Sequence, residues 1–388
     1  MESLCSSCLR YRDNDPSSDI IDANTGVALQ KHADLWFLDG SVVIRAENTL
    51  FRIHLSQLAR HSICFKDMLC ISHSSGSSGD KLSNCPLLNL QDTAEDMCNF
   101  LTAMYDGPNF GNSEQDDFRV VSGILRLSTK YIVDSLRAKA LQHLAKAWPT
   151  TLREWDARED LARAYECETA FNPSEARAHL YPSPIDVIKL AREVDAPALL
   201  PSAFYDLSRY PSNQIFDPTE EESGNRISNQ LSVYDMERLC IGKEAAQHTI
   251  TSLINGLGHI QHVRQSQHLI THGRKTSGAV VCVSPANCRK DFLELVDLAT
   301  QHYLFDRERG CCDPLYVAEE LGQLKSPDLS ECKACAILLE CWAAREREKT
   351  WKMIPLWFKL DSPSNASPGG SPHPMSWPNS RPSSAAGP

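Results

Sequence analysis

Four cysteines near the end of the chain have the residue type and spacing of a metal site. Cys332 and Cys335 form a Cys-x-x-Cys pair at the predicted start of a helix, and Cys282 and Cys288 lie on a predicted loop upstream. Four thiolates are the ligand set of a structural zinc ion, although five intervening residues exceed the usual spacing of roughly two to four. Because a helix start stabilises thiolates through its unpaired N–H groups and its dipole, the sequence predicts one structural zinc on these residues.

Other side chains keep alternative interpretations of this region open. Cys311, Cys312 and Cys341 offer rival thiolates, and cysteines on the apolar face of a helix also pack as reduced thiols in a core. Four histidines recur at helical spacing, namely His259, His262, His268 and His272. They lack the glutamate of a His-Glu-x-x-His zinc site, so an ordinary polar helix face is the better interpretation.

The sequence predicts no enzymatic activity. It contains neither of the glycine-rich nucleotide-binding motifs, nor the Gly-x-Ser-x-Gly turn of serine hydrolases. His54 and Asp34 are a conceivable acid–base pair. However, a polar residue near a strand end usually packs and hydrogen-bonds, so we expect a structural role for His54.

Composition narrows the classes of partner and compartment. The 388 residues include 39 basic and 50 acidic side chains, and the net charge of −11 disfavours binding to nucleic acid. No apolar run approaches the roughly 18–20 residues that cross a bilayer. Fifteen cysteines, an odd number, in a chain without a recognisable export signal favour reduced thiols. We therefore expect no membrane association and a location in the cytoplasm, the nucleus or both.

The elements that must position these residues fall into four stretches. Residues 1–30 are polar and predicted to be disordered, and residues 31–148 alternate strands and helices as a small α+β domain. Within that domain, Asp39-Gly40 predicts a hairpin turn, and the Ser-Gly-rich residues 72–84 predict a flexible insert. Residues 149–360 read as mainly α-helical, and the Ser, Pro and Gly of residues 361–388 predict a disordered tail.

The α+β segment resembles a BTB/POZ domain over roughly residues 34–144. Single pieces of the match are weak, and their order and spacing carry the resemblance. The matching pieces are residues 34–40, 51–54, 58–62, 65–68, 88–92, 100–107 and 125–131. The Trp-Phe-x-Asp-Gly line at 36–40 and residues 199–205 are more narrowly similar to BTB proteins abundant in mushroom-forming fungi.

This resemblance implies a protein–protein interaction module that associates with itself, commonly as a homodimer, and recruits protein partners. Some members of the family are substrate adaptors of cullin-type ubiquitin ligases, which makes such an adaptor the first alternative. A zinc-dependent transcriptional regulator is the second, although the acidic charge counts against it.

Overall fold

A mixed β-sheet comes first in the chain, and α-helices make up nearly all of the rest, so the protein is α+β as predicted. The structure, a computed structural model, describes residues 20–22, 26–74, 81–111, 115–171, 180–212, 215, 231–270, 282, 284–305, 312–323 and 332–360. The prediction that residues 1–30 are disordered was wrong for its last part, because the strands Ile20–Ile21 and Ala28–Trp36 lie there and bury Ile20 and Leu29. The predicted disorder of residues 1–19 and 361–388 concerns residues outside the described range. No helix in the described residues is long and apolar enough to span a bilayer.

The N-terminal part contains the sheet and the helices that cover it. Its strands are β1 (Ile20–Ile21), β2 (Ala28–Trp36), β3 (Val42–Ala46), β4 (Thr49–Ile53), β5 (Lys81–Leu82) and β6 (Cys85–Leu90). Its helices are α1 (Leu55–His61), α2 (Ile63–Ser74), α3 (Ala94–Asp106), α4 (Gln115–Lys130) and α5 (Asp134–Ala147). The predicted insert at 72–84 therefore includes the end of α2 and strand β5, while residues 75–80 lie outside the described residues.

The remaining secondary-structure elements of the described residues are helical. The helices are α6 (Leu152–Phe171), α7 (Pro184–Glu193), α8 (Leu200–Arg209), α9 (Val233–Ile270), α10 (Pro285–Thr300), α11 (Pro314–Gln323) and α12 (Lys333–Trp357). A short 3₁₀ turn, Pro197–Leu199, precedes α8, and a π-helical turn, Gln301–Phe305, continues α10.

The strand pairing differs from the predicted hairpin. The strand order is β1-β2-β4-β3-β6-β5. In this order β2 pairs with β4 in parallel, and β3, which follows the Asp39-Gly40 turn, pairs with β4 in the antiparallel sense and not with β2. The Asp39-Gly40 prediction of a hairpin between paired strands was therefore wrong. That turn carries the chain past the end of β4, where a Cβ on Gly40 would meet the Arg52 side chain at 2.8 Å. The hairpin turns instead at Glu47, whose φ is +50°.

The central strands β3 and β4 are buried on both faces of the sheet. Val42, Ile44, Phe51 and other side chains of one face pack against helices α1 to α5, and alternate residues such as Val43 belong to a smaller cluster on the other face. Near-continuous apolar strands such as β3 are typical of sheets that are covered on both sides.

The largest apolar core contains residues from both sides of residue 148, the predicted boundary between the α+β stretch and the helical stretch. Val121 of α4 and Leu144 of α5 share it with Trp148 and with Phe204 of α8. The two parts of the chain are therefore packed together rather than joined by a linker.

A buried ion-pair network fastens this core. The Arg158 guanidinium donates to Asp206 at 2.7 Å and to the Ala147 carbonyl oxygen at 2.8 Å. It also stacks 4.7 Å from the centre of the Trp155 ring. Arg209 extends the network to Asp313, ahead of α11. Buried charges are stable only when they are paired and hydrogen-bonded in this way.

Phe65 tests the packing of the N-terminal part. Its ring is fully buried on α2 and stacks on Tyr131 at 4.4 Å between ring centres. Phe65→Ala should lower the free energy of unfolding by about 3–5 kcal/mol, because it leaves a cavity in a packed core. Urea denaturation followed by circular dichroism measures this, with the exposed Phe305→Ala as the matched control. Equal midpoints for the two variants would show that the ring does not pack as described.

Candidate metal centre

The four cysteines lie in a small apolar core that is separate from the largest one. Helices α10 and α12 both pack against α9, and α11 packs against α9 and α12. The core takes side chains from all of these helices, among them Ile254, Leu257, Phe292, Val317, Leu321 and Leu339. Cys288, Cys332 and Cys335 are buried members, and Cys282 packs against the cluster.

Two helix starts position the thiols. Cys288 lies in the first turn of α10, after Ser284 and a proline at the first helical position. Cys332 is the N-cap residue of α12, and its carbonyl oxygen accepts the N–H of Cys335 at 2.9 Å. The first turn brings positions i and i+3 to the same face of a helix, so both thiols of this pair point to one place. Cys288 thus lies on a helix rather than on the predicted loop, whereas Cys332-x-x-Cys335 opens a helix as predicted.

The sulfur atoms of the four residues converge. Cys282 Sγ lies 3.4 Å from Cys288 Sγ and 3.8 Å from Cys335 Sγ. All four Sγ atoms lie within 4.8 Å of one another. A tetrahedral Zn–S bond length of about 2.3 Å places sulfurs about 3.8 Å apart, so a small contraction of the cluster would suit zinc.

Burial raises the pKa of the Cys335 thiol, and hydrogen bonds with Cys288 and Cys332 raise it further. Without a cation, this burial favours the protonated form of the Cys335 thiol. A bound divalent metal reverses the balance, because its charge makes the coordinating thiol give up its proton. The two helix starts add favourable partial positive charge for the thiolate form.

The arrangement can hold a soft metal ion in a closed site. Four sulfur ligands fill a tetrahedron and leave no position for water, which is typical of structural rather than catalytic zinc. The rival ligands contribute differently: Cys341 is exposed and Cys312 is buried, and neither belongs to the cluster of ligand atoms found in the described residues. Cys311 and the side chains of His259, His262, His268 and His272 lie outside the described residues.

His54 has partners other than Asp34. Its Nδ1 lies 3.0 Å from the Tyr105 hydroxyl, and its Nε2 lies 3.2 Å from a carboxylate oxygen of Asp39. The His54 backbone N–H donates to the same hydroxyl at 2.9 Å. These bonds tie the end of β4 to α3 and to the Asp39 turn. The His54 ring also lies beside the Phe37 ring, with 5.1 Å between ring centres and an angle of 38° between the ring planes.

A contact between Cys98 and His32 was not predicted from the sequence. Cys98 Sγ lies 3.2 Å from His32 Nε2, although the two residues are 66 positions apart. The other ring nitrogen of His32 accepts the N–H groups of Asp34 and Leu35, so Nε2 carries the proton. A histidine in that tautomer donates to sulfur and cannot take the thiol proton. The pair therefore lacks the arrangement of a cysteine nucleophile and its base.

Comparison with models of known protein families and with curated proteins finds no match to this chain.

Proposed function

We propose that this protein is an interaction scaffold of the BTB/POZ type whose helical region is stabilised by one structural zinc ion. The observation that carries the zinc assignment is the convergence of four sulfur atoms from two helix starts within 4.8 Å. The scaffold assignment is supported by the order of elements between residues 34 and 144. There the β3–β4 hairpin, α1, α2, β6 and α3 to α5 follow the order that the resemblance implies.

Zinc suits this part of the fold because the core around the thiols is small. Structural zinc contributes directly to folding where apolar burial is limited. In the proposed site, Cys282 and Cys288 hold the start of α10 while Cys332 and Cys335 hold the start of α12. The ion would join two helices that otherwise both pack on α9.

Replacing one ligand tests the zinc site. Cys332→Ser should reduce the zinc content of purified full-length protein from about one equivalent to well below it, because a hydroxyl does not replace a thiolate ligand. Metal analysis by inductively coupled plasma mass spectrometry measures this. Cys341→Ser is the matched control, since Cys341 is an exposed thiol on the same helix.

The Cys332→Ser variant also distinguishes local destabilisation of the helical region from global unfolding. Hydrogen exchange should show faster exchange in α10 and the first turns of α12, with the β-sheet unchanged, because the sheet packs in other cores. Zinc-free wild-type protein, purified under reducing conditions with zinc supplied, would contradict the zinc site.

We infer that the partners of the scaffold are proteins, with a second copy of the chain as the first of them. The charge of −11 does not suit a phosphate backbone, which favours the scaffold over the DNA-binding regulator. The proposal includes no catalytic activity, and it places the protein in the cytoplasm or the nucleus, where thiols stay reduced. Copurified partners identified by mass spectrometry would distinguish the scaffold from an adaptor that binds a cullin.

Two exposed isoleucines support self-association through the N-terminal part. Ile63 and Ile132 are 66% and 52% exposed. They follow Ser62 and Tyr131, which are joined by a hydrogen bond from the Ser62 hydroxyl to the Tyr131 carbonyl oxygen, so they occupy one region of the surface. Ile132 also has a φ of +55°, which is rare for a β-branched residue. Strained backbone of this kind concentrates at functional sites.

Light scattering tests this part of the proposal. The full chain should show a mass of about twice 43.3 kDa at tens of micromolar, roughly the range in which weak dimers are populated. Ile63→Asp should shift the mass towards the monomer, because a carboxylate in an apolar contact loses its hydration. Leu161→Asp, at an exposed site on α6, should not. A monomeric wild-type protein at these concentrations would contradict self-association.

A further inference from the structure

The four cysteines of the proposed zinc site differ in how accessible they are. Cys288, Cys332 and Cys335 are only 2%, 7% and 4% exposed, whereas Cys282 is half-buried. A dissolved reagent therefore reaches the cluster first at Cys282. Cys282 Sγ lies 3.4 Å from Cys288 Sγ and 3.8 Å from Cys335 Sγ, so Cys288 is the closer of these two partners.

We propose that Cys282 and Cys288 are a redox-sensitive pair, and that a hydroperoxide joins them in a disulfide that releases the zinc. This inference rests on the proposed zinc site. The S–S bond length is about 2.05 Å, so the two sulfurs need to approach by about 1.4 Å. Cys282 precedes α10, while Cys288 lies in its first turn, so the approach requires Cys282 to move towards that turn.

The chemistry balances with hydrogen peroxide as the oxidant. The Cys282 thiolate attacks one peroxide oxygen and becomes a sulfenic acid, and hydroxide leaves. The Cys288 thiolate then attacks the sulfenic sulfur, the S–S bond forms, and a second hydroxide leaves. Two electrons pass from the two sulfurs to the peroxide, and Zn²⁺ departs because two of its four ligands are gone.

The structural consequence is local. Cys332 and Cys335 remain on α12, but two thiolates alone do not complete a tetrahedral site. The start of α10 then loses its connection to the start of α12, while both helices keep their contacts with α9. Oxidation would thus loosen one end of the helical region without unfolding the sheet, which lies in other cores.

The test uses zinc-loaded full-length protein that is treated with hydrogen peroxide. A chromogenic zinc chelator, 4-(2-pyridylazo)resorcinol, measures the released metal, and peptide mapping under non-reducing conditions identifies the disulfide. We expect about one zinc released for each Cys282–Cys288 disulfide, with rebinding after thiol reduction and addition of zinc. Cys240→Ser is the control, because it removes an exposed thiol outside the cluster and should leave the release unchanged.

Two results would overturn the inference. One is zinc that stays bound while peroxide oxidises the exposed Cys240 and Cys341. The other is release accompanied by a different disulfide, such as Cys282–Cys335 or Cys332–Cys335. Absence of zinc from the reduced protein would instead contradict the zinc site itself. Both readouts come from the wild-type chain, so the test does not depend on a cluster variant that folds.

Discussion

The packing of the starts of α10 and α12 depends on how four cysteine sulfur atoms are held together. Helices α10 and α12 approach each other at their first turns, and there the contact between them is made by Cys282, Cys288, Cys332 and Cys335. As thiols these side chains pack like small apolar groups. As thiolates bound to a cation they would link residues 282–288 to residues 332–335, which lie 44 or more positions further along the chain. The proposed zinc would join the starts of these two helices through four bonds to sulfur.

The rest of the molecule is organised differently. Its largest core runs from α4 through Trp148 to Phe358, and a buried network around Arg158 and Asp206 ties α6 to α8. Asp206 is buried, yet the neighbouring Arg158 and Arg209 guanidinium groups outweigh desolvation and hold the pKa of its carboxyl below the usual value. These contacts need no metal. Loss of the proposed zinc would therefore be a local event. The shared core also explains why a fragment ending at residue 148 would expose apolar surface of α4 and α5 to water.

Local sequence signals predicted much of this architecture. Cys332-x-x-Cys335 opens α12 as predicted, because a helix start depends on a few neighbouring residues. Pairing between distant segments was harder to predict. Asp39-Gly40 signals a turn, but no local pattern indicates that β2 would lie parallel to β4. The start of α10 was missed although Ser284-Pro285 is a recognised helix-start signal. The Ser284 side chain itself makes no capping hydrogen bond.

In the candidate site, too, local features were predicted from the sequence, and features that depend on packing between distant segments were not. The sequence pointed to these four cysteines through residue type and the Cys332-x-x-Cys335 spacing, although the spacing of Cys282 and Cys288 is wider than usual and other cysteines were rival ligands. The sequence did not show that Cys282 is more accessible than its three neighbours, because accessibility depends on how α9, α10 and α12 pack. The Cys98–His32 contact joins a strand to a helix across 66 positions and has no pattern to find.

X-ray absorption at the zinc edge of the purified full-length protein tests the central claim most directly, because it reports the identity and distance of the ligand atoms. Four sulfur ligands at about 2.3 Å, with no nitrogen or oxygen neighbour in the first coordination sphere, are the expected result. A site with histidine nitrogen or water oxygen among the ligands, or protein that carries no zinc, would contradict it.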